Sequence, residues 1–364
     1  MFESIERRLV AARCVLLVAC VGAAIGCHPS GDVGPTDGGA DAGANAAPML
    51  ITEPDQGMTP IYALLSSAKH TLDMTMYELN DPMATSLLVA AAKNGVTVRV
   101  ILDQNLEMSA NTTAYNALSA LGANVTVHWA NPVFAATHQK TITVDGTTSA
   151  IMTLNFSAED YTTSRDFAFI TSDPADVAAI ETTFAADLMN ASITPPNGTN
   201  LVWSPTNSQT ALVDLINGAQ TSLLVENEEM GYATIVSALA NAASRGVDVK
   251  IVIEASSDYA ANFTILEAAG ATVVTYRHSS LYIHAKVVLA DYGTSAASVF
   301  LGSENFSHPS LTENRELGII TSDAATMDSL HGTLTSDFAG GKPFVPSAND
   351  AGIPVDAATP TDAG

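Results

Sequence analysis

The stretch of sequence that decides the fold occurs twice. Residues 71–105 read TLDMTMYELNDPMATSLLVAAAKNGVTVRVILDQN, residues 222–256 read SLLVENEEMGYATIVSALANAASRGVDVKIVIEAS, and the two align without a gap. Each copy predicts a strand, a helix that ends at a glycine (Gly95 or Gly246), and a second strand rich in valine and isoleucine. A repeat of this length indicates two copies of one structural unit.

The similarity continues beyond this stretch. ALSALGANVTVHW in the first copy and ILEAAGATVVTYR in the second each predict a further helix, a glycine stop and a strand. Strands that alternate with helices predict an α/β fold of two repeated halves, each a mixed β-sheet flanked by helices. The polar segment 191–200, ASITPPNGTN, predicts a connection, so we place the halves at residues 49–196 and 197–344.

A chemical motif recurs at the same place in both copies, in ATHQKTITVDG (136–146) and LYIHAKVVLAD (281–291). Its members are His138, Lys140 and Asp145 in the first copy and His284, Lys286 and Asp291 in the second. Residues two apart in a strand share a face, so each histidine is predicted beside its lysine. One such motif would be compatible with a solvated edge strand, but its recurrence favours a function.

Other polar residues also recur. Asn-Phe-Ser follows the motif in both copies, preceded by Met152-Thr153 in one and Gly302-Ser303 in the other, and the second hairpin is longer by 4 residues. Ser-Arg-Asp and Asn-Arg-Glu then each open an apolar strand. The matching side chains are Asn155 and Asn305, Thr153 and Ser303, Asp166 and Glu316, and Glu78 and Glu229.

Composition limits the classes of function. The chain has 364 residues, 47% hydrophobic, with 38 acidic against 14 basic residues and a net charge of −24. Such a body disfavours a groove that follows nucleic-acid phosphates, because that binding needs many Lys and Arg contacts. A small local basic site remains compatible with it.

The ends of the chain are expected to lie outside the fold. Arginines precede a 13-residue apolar run within residues 1–27, which predicts a secretory signal too short to span a membrane. The ending A-I-G-C resembles a bacterial lipobox with Cys27 as the lipidated residue; the alternative is cleavage without a lipid. Residues 28–48 and 345–364 are rich in Gly, Ala, Asp and Pro, which predicts a flexible tether and a disordered tail. All three cysteines lie in the signal segment, so the mature domain offers no disulfide, thiol nucleophile or cysteine metal site.

From residue 49 to 340 the sequence resembles the phospholipase D superfamily, in the form with two HKD motifs in one chain. The resemblance implies two halves around a pseudo-two-fold axis, with one active site at their interface and no metal or cofactor. In that family, one histidine attacks phosphorus to form a phosphohistidine, and the other protonates the leaving oxygen. The resemblance implies catalytic roles for His138, His284, Lys140, Lys286, Asp166 and Glu316. It implies phosphate contacts for Lys140, Lys286, Asn155, Asn305, Thr153 and Ser303, and we interpret Asp145 and Asp291 as structural.

The resemblance leaves the substrate open. We expect an exported phospholipase D, a phosphoric diester hydrolase that degrades phospholipids at a membrane surface with no obligate protein partner. The alternatives are a nuclease-type phosphodiesterase, a head-group transferase of the cardiolipin-synthase kind, and a non-catalytic binding scaffold. The expected location is the outer membrane or cell surface as a lipoprotein, with the periplasm or secretion as alternatives.

Finer expectations concern the two histidines. His138 is expected to be the nucleophile and His284 the general acid, each backed by the carboxylate of its own half. The bulk of Met152 predicts a narrower first half, and Gly302 a second half with room for a departing head group. The remaining histidines have no repeat partner and are expected at the surface or in packing; they are His70, His128, His278, His308 and His331.

Overall fold

The computed structural model describes residues 46–346. The predicted signal segment with Cys27, most of the predicted tether and most of the predicted tail lie outside the described residues.

Two series of elements follow one another in the described part. The first comprises β1 (Met49–Glu53), α1 (Thr59–Ser67), β2 (Thr71–Met76), α2 (Pro82–Lys93), β3 (Thr97–Leu102), α3 (Met108–Ser119), β4 (Val125–Trp129), β5 (Thr141–Val144), β6 (Thr148–Met152), β7 (Ser164–Thr171) and α4 (Pro174–Leu188). The second comprises β8 (Leu201–Ser204), α5 (Ser208–Gly218), β9 (Ser222–Asn227), α6 (Ala233–Ser244), β10 (Asp248–Glu254), α7 (Ala260–Ala268), β11 (Thr272–Tyr276), β12 (Tyr282–Ile283), β13 (Lys286–Ala290), β14 (Ser298–Gly302), α8 (His308–Thr312), β15 (Glu316–Thr321), α9 (Ala324–Gly340) and β16 (Lys342–Pro343).

Both halves build the same mixed sheet. The strand order is β1-β7-β6-β5-β2-β3-β4 in the first sheet and β8-β15-β14-β13-β9-β10-β11-β16 in the second. The strands β2, β3 and β4 are parallel, whereas β5, β6, β7 and β1 pair antiparallel. The duplicated α/β fold with helix-flanked mixed sheets is therefore confirmed.

Repeated local signals explain why these elements begin and end where they do. Gly95 and Gly246 have φ of 89° and 93° after helices α2 and α6, a conformation that glycine adopts without strain. Each half also has Thr-Ser-Asp between a strand and a helix. Asp173 accepts a hydrogen bond from the amide of Asp176, and Asp323 caps α9 in the same way.

The interface between the halves is an apolar core. Side chains of β6 and β7, such as Ile151 and Phe167, belong to one buried cluster with Val287, Leu301 and Leu317 of the second sheet. Burial at about 25 cal/mol per Å² of apolar surface makes such a cluster a large stabilising term, so the halves are held together firmly.

Two short backbone contacts cross this interface and position the site. The strand β12 pairs in parallel with β7 of the first sheet, Tyr282 opposite Ser164 and Ile283 opposite Arg165. In the reciprocal contact, Thr137 bridges to Arg315 just before β15.

The motif residues were predicted to lie within a strand, and the structure differs from this prediction. His138 and Lys140 precede β5, which begins at Thr141, and His284 precedes β13. The reason is that the amide of Gln139 donates to the carbonyl of Arg315 in the other half rather than to its own sheet. The longer second hairpin is confirmed: residues 291–297 connect β13 to β14, whereas 145–147 connect β5 to β6.

Candidate active site

The first catalytic candidate, His138, is paired with a carboxylate from the other half. Its Nδ1 lies 2.8 Å from Oε2 of Glu316, which is fully buried. The other carboxylate oxygen of Glu316 accepts hydrogen bonds from Ser310 Oγ at 2.7 Å and Asn314 Nδ2 at 2.9 Å. These bonds fix the ring of His138 and direct its Nε2 away from the carboxylate.

The second candidate, His284, has the reciprocal arrangement. Its Nδ1 lies 2.8 Å from Oδ1 of Asp166 in the first half. Asp166 is held by the hydroxyls of Thr153 and Ser164, each at 2.5 Å. The expectation that each carboxylate backs the histidine of its own half is therefore wrong.

The crossed backbone contacts explain this exchange. Because Thr137 and Gln139 both contact Arg315, the residue after Arg315 is brought beside His138. Likewise β12 lies along the start of β7, which brings Asp166 beside His284. The spacing within one repeat contains no signal of this exchange.

Both lysines are buried next to their histidines. Lys140 Nζ donates to the carbonyl oxygen of His138 at 2.7 Å and lies 4.8 Å from the centre of the Tyr77 ring. Lys286 Nζ donates to the carbonyl oxygen of His284 and, at 2.9 Å, to Oε2 of Glu228. Burial first and the charge of Lys286 second lower the pKa of Lys140 to about 7. The crossed histidine–carboxylate pairs bring the two motifs together at the interface between the halves.

The histidine environment favours a neutral His138. Burial lowers the pKa of His138, and the nearby Lys140 lowers it further, while Glu316 opposes both. A neutral imidazole whose Nδ1–H donates to a carboxylate keeps the Nε2 lone pair for attack.

The paired carboxylates are ionised. Burial alone would raise the pKa of Asp166, but His284 lowers it below its usual value. Glu316 is likewise buried, and His138 lowers its pKa.

The remaining predicted phosphate contacts divide into two groups. Asn155 and Asn305 each have a buried Oδ1 without a hydrogen-bond partner in the described chain, and Asn305 Nδ2 contacts Glu228 at 3.2 Å. Thr153 and Ser303, which were also predicted as phosphate contacts, are fully buried. Their hydroxyls accept from the amides of the strands that carry the carboxylates, at 2.9 Å and 3.1 Å.

Sequence reasoning missed Glu228 and Tyr77, which occupy equivalent positions of the repeat. Glu228 accepts a hydrogen bond from Tyr282 Oη at 2.5 Å. Its other carboxylate oxygen, Oε2, lies 3.8 Å from Nε2 of His284. Burial alone would raise the pKa of Glu228, but Lys286 and His284 lower it, so it is ionised. Tyr77 instead places its ring 4.6 Å from that of His138. A gap-free alignment could have flagged this exchange of an aromatic residue for an acid.

Other acidic residues surround the second half of the site. Glu229 contacts Asn305 Nδ2 at 3.2 Å, and burial followed by the charge of Glu228 raises the pKa of Glu229 to about 7. Its repeat partner Glu78 accepts from Ser157 at 2.6 Å. His278, expected at the surface or in packing, stacks on Tyr282 at 4.1 Å and so lies at the edge of the site.

The predicted opening beside Gly302 is wrong. A Cβ at Gly302 would lie 2.5 Å from a carboxylate oxygen of Glu304 and 2.3 Å from the Cα of Gly318. Glu304 therefore fills the space that the glycines leave, and burial, followed by the charge of Glu316, raises its pKa well above the usual value. Met152 points into the first hydrophobic core rather than into the site.

Asp145 and Asp291 have the structural place expected of them. Both have φ of 53°, and both accept hydrogen bonds from successive backbone amides at the start of the neighbouring strand. They join the hairpin turn to β2 and β9 and lie away from the histidines.

Neither a metal cluster nor a membrane helix is found in the described residues. Across residues 46–346, no three His, Cys, Asp or Glu side chains are grouped to hold a metal ion. No helix within that range is long and apolar enough to cross a membrane.

One histidine from each copy of a duplicated α/β unit, meeting at a shared interface, is the arrangement of the two-motif phosphodiester enzymes that the sequence resembles. The chain belongs to the phospholipase D superfamily: the family described as cardiolipin synthase, PLD-like domain matches it twice, over residues 61–188 and 212–338.

Named relatives are bacterial cardiolipin synthases. The chain is 31% identical to cardiolipin synthase A of Pseudomonas aeruginosa over 140 residues, which is 37% of this chain and 28% of that enzyme. It is 26% identical to cardiolipin synthase A of Pseudomonas putida over 345 residues, covering 83% of this chain and 71% of that enzyme. The matched segment thus spans less than a third of the length of the P. aeruginosa enzyme.

Solved structures share the fold. Phosphatidylserine synthase of Haemophilus influenzae superposes with a TM-score of 0.63 at 13% identity, covering 82% of this chain and 87% of that one. Polyphosphate kinase of Porphyromonas gingivalis also superposes with a TM-score of 0.63, at 16% identity, covering 80% of this chain and 50% of that one.

Proposed function

We propose that this enzyme transfers a phosphatidyl group from a phospholipid to an alcohol through a phosphohistidine intermediate. The crossed histidine–carboxylate pairs support the phosphohistidine chemistry, since they place one imidazole from each half at the interface, each held by a carboxylate. Our sequence-based expectation was hydrolysis, with transfer as an alternative. The cardiolipin synthases among the relatives favour transfer.

In the first half of the reaction, Nε2 of His138 attacks phosphorus and forms a P–N bond. The bond from phosphorus to the leaving oxygen breaks, and that oxygen takes the proton from Nε2 of His284. Lys140 and Asn155 offset charge on the phosphoryl oxygens, and this kind of fixed electrostatic stabilisation often contributes several kcal/mol, about 3 per donor. Glu316 stabilises the positive charge that develops on His138.

In the second half the roles reverse. An alcohol gives its proton to the now neutral His284, its oxygen attacks phosphorus, and the P–N bond breaks to restore His138. Water could complete the same cycle, and then the enzyme would be a hydrolase. The acceptor thus decides between synthase and hydrolase, and the same two histidines serve both.

The test is to give purified full-length protein vesicles of phosphatidylglycerol and to identify the lipid products by mass spectrometry. Transfer predicts a lipid with two phosphatidyl groups. Phosphatidic acid as the sole product would make the enzyme a hydrolase, and turnover of single-stranded DNA but of no lipid would make it a nuclease. His138→Ala is the control for contaminating activity.

We further propose that the enzyme acts at a membrane surface to which Cys27 tethers it. The support is the lipobox-like A-I-G-C and the flexible composition of residues 28–48. A tether of this kind would keep the site close to its lipid substrate.

A further inference from the structure

The acid at Glu228 is unexpected in a pocket that must bind an anionic phosphodiester. Its side chain is 23% exposed and faces the site, where Oε2 lies 2.9 Å from Lys286 Nζ and 3.2 Å from Asn305 Nδ2. An ionised carboxylate there offsets the charge of Lys286. A carboxylate at this place also repels a bound phosphate, so it disfavours the donor unless it makes a favourable contact with another part of the substrate.

The first half has no such acid at the equivalent position. Tyr77 stands there, and its ring lies against Lys140 and His138. Within residues 46–346, one carboxylate lies within 4.0 Å of a ring nitrogen of His138, whereas two lie that close to His284. The phosphoryl group is therefore accommodated better on the Lys140 side, and the alcohol on the side of His284 and Glu228.

The distance between Glu228 and His284 suits an alcohol with two donors. Their 3.8 Å separation is too long for a direct hydrogen bond. When His284 is neutral, its Nε2 and Oε2 of Glu228 are two acceptors side by side, and Oε2 would take the further bond beside those from Lys286 and Asn305. Two donor groups on neighbouring carbons lie roughly 3 Å apart in a staggered gauche arrangement. The reacting oxygen can then bond to Nε2 of His284 while its neighbour bonds to Oε2 of Glu228.

We propose that Glu228 is a specificity-determining residue, which selects alcohols that carry a hydroxyl or ammonium group on the carbon next to the reacting one. This inference rests on the proposed function and adds to it the chemistry of the alcohol. In the transfer step the alcohol oxygen forms the P–O bond and its proton passes to His284. The electron pair of the broken P–N bond returns to His138, and Glu228 keeps its charge throughout.

Tyr282 and Lys286 hold the carboxylate in this orientation. Tyr282 Oη donates to Oε1 at 2.5 Å, which leaves Oε2 facing His284. Lys286 donates two of its three N–H groups, one to Glu228 and one to the carbonyl oxygen of His284.

The experiment measures how the phosphohistidine partitions between competing alcohols. Full-length protein is given bis-p-nitrophenyl phosphate, which needs no lipid surface, together with 1-propanol and either 1,2-propanediol or 2-aminoethanol. The alkyl p-nitrophenyl phosphates are quantified by mass spectrometry. Since a hydrogen bond to a charged group typically stabilises by an amount worth about tenfold or more in rate, we expect the wild type to prefer the two-donor alcohol by about tenfold.

Glu228→Gln should remove most of that preference, whatever it does to the overall rate. Glu229→Gln is the matched control, because it removes a carboxyl one residue along that has no oxygen within 4.0 Å of a histidine nitrogen in the described residues. A preference for 2-aminoethanol alone would identify an acceptor with an ammonium group. A preference for 1,2-propanediol alone would identify a polyol acceptor.

An unchanged ratio in Glu228→Gln, or no preference in the wild type, overturns the inference. Glu228→Gln could also lower KM for the phosphodiester donor without altering the ratio of products from the two alcohols. Glu228 would then only weaken phosphate binding, and this result also overturns the inference. Turnover of this donor but of no phospholipid would refute the proposed lipid substrate alone, whereas turnover of neither refutes both.

Discussion

The Nδ1 of His138 lies 2.8 Å from Oε2 of Glu316, a residue 178 positions further along the chain. The reciprocal pair, His284 and Asp166, joins residues 118 positions apart across the same interface. Because each pair contains one residue from each half, the chemistry of the site depends on correct docking of the halves.

Replacing either histidine should abolish turnover without unfolding the protein. His138→Ala and His284→Ala should each lower the rate at least about a hundredfold, as expected for loss of a nucleophile or a general acid. Phosphodiester turnover and thermal melting are the measurements, and His331→Ala, which removes a ring stacked on Tyr292, is the control. If either site variant kept more than about a tenth of the rate, the mechanism with two histidines would be refuted.

The crossed pairing can be tested by NMR of ¹⁵N-labelled histidine. Glu316→Gln should shift the ring nitrogens of His138 and leave those of His284 nearly unchanged, because the carboxylate contacts the ring of the first half. Asp166→Asn should do the reverse. The opposite pattern would show that each carboxylate serves its own half.

The covalent intermediate should form on His138. Burial lowers the pKa of this histidine and keeps it neutral, as a nucleophile must be, while the carboxylates of Asp166 and Glu228 flank His284 and complement a protonated ring. A reaction with ³²P-labelled phospholipid is quenched and the labelled peptide located. Label on the peptide that contains His284 would reverse the assignment.

Activity should depend on pH with a bell-shaped profile. On the acid side His138 becomes protonated and ceases to be a nucleophile, and its lowered pKa moves that limb below the usual histidine range. On the alkaline side Lys140, with a pKa of about 7, loses the charge that attracts phosphate, so KM should rise above about pH 7. Lys140→Gln should therefore raise KM strongly at pH 6 and little at pH 9. An equal effect at both pH values would contradict the role given to this charge.

Replacement of Cys27 by alanine should release the protein from membranes. The wild type should fractionate with the membrane and carry a lipidated N-terminal cysteine, as its lipobox-like sequence predicts. Mass spectrometry of the mature N-terminus is the measurement. A soluble wild-type protein with another N-terminus would disprove the anchor and leave the proposed chemistry untouched.

The halves of the fold were predictable because several local signals occur twice, at equivalent positions. The glycines at 95 and 246, and the Thr-Ser-Asp caps, specify the same turns in both copies. The histidines and lysines could be found in the same way. The pairing of each histidine with a carboxylate of the other half could not be predicted. It depends on the docking of Thr137 beside Arg315, a contact between residues distant in sequence. Reasoning from residue size also failed at Gly302, because the neighbouring Glu304 side chain folds into the space.

The exchange of carboxylates also makes the two repeats depend on each other. Here a change at Glu316 would damage the histidine of the first copy, and a change at Asp166 that of the second. Each copy therefore needs the other intact for its own histidine to work, so a substitution in one repeat is felt in the other.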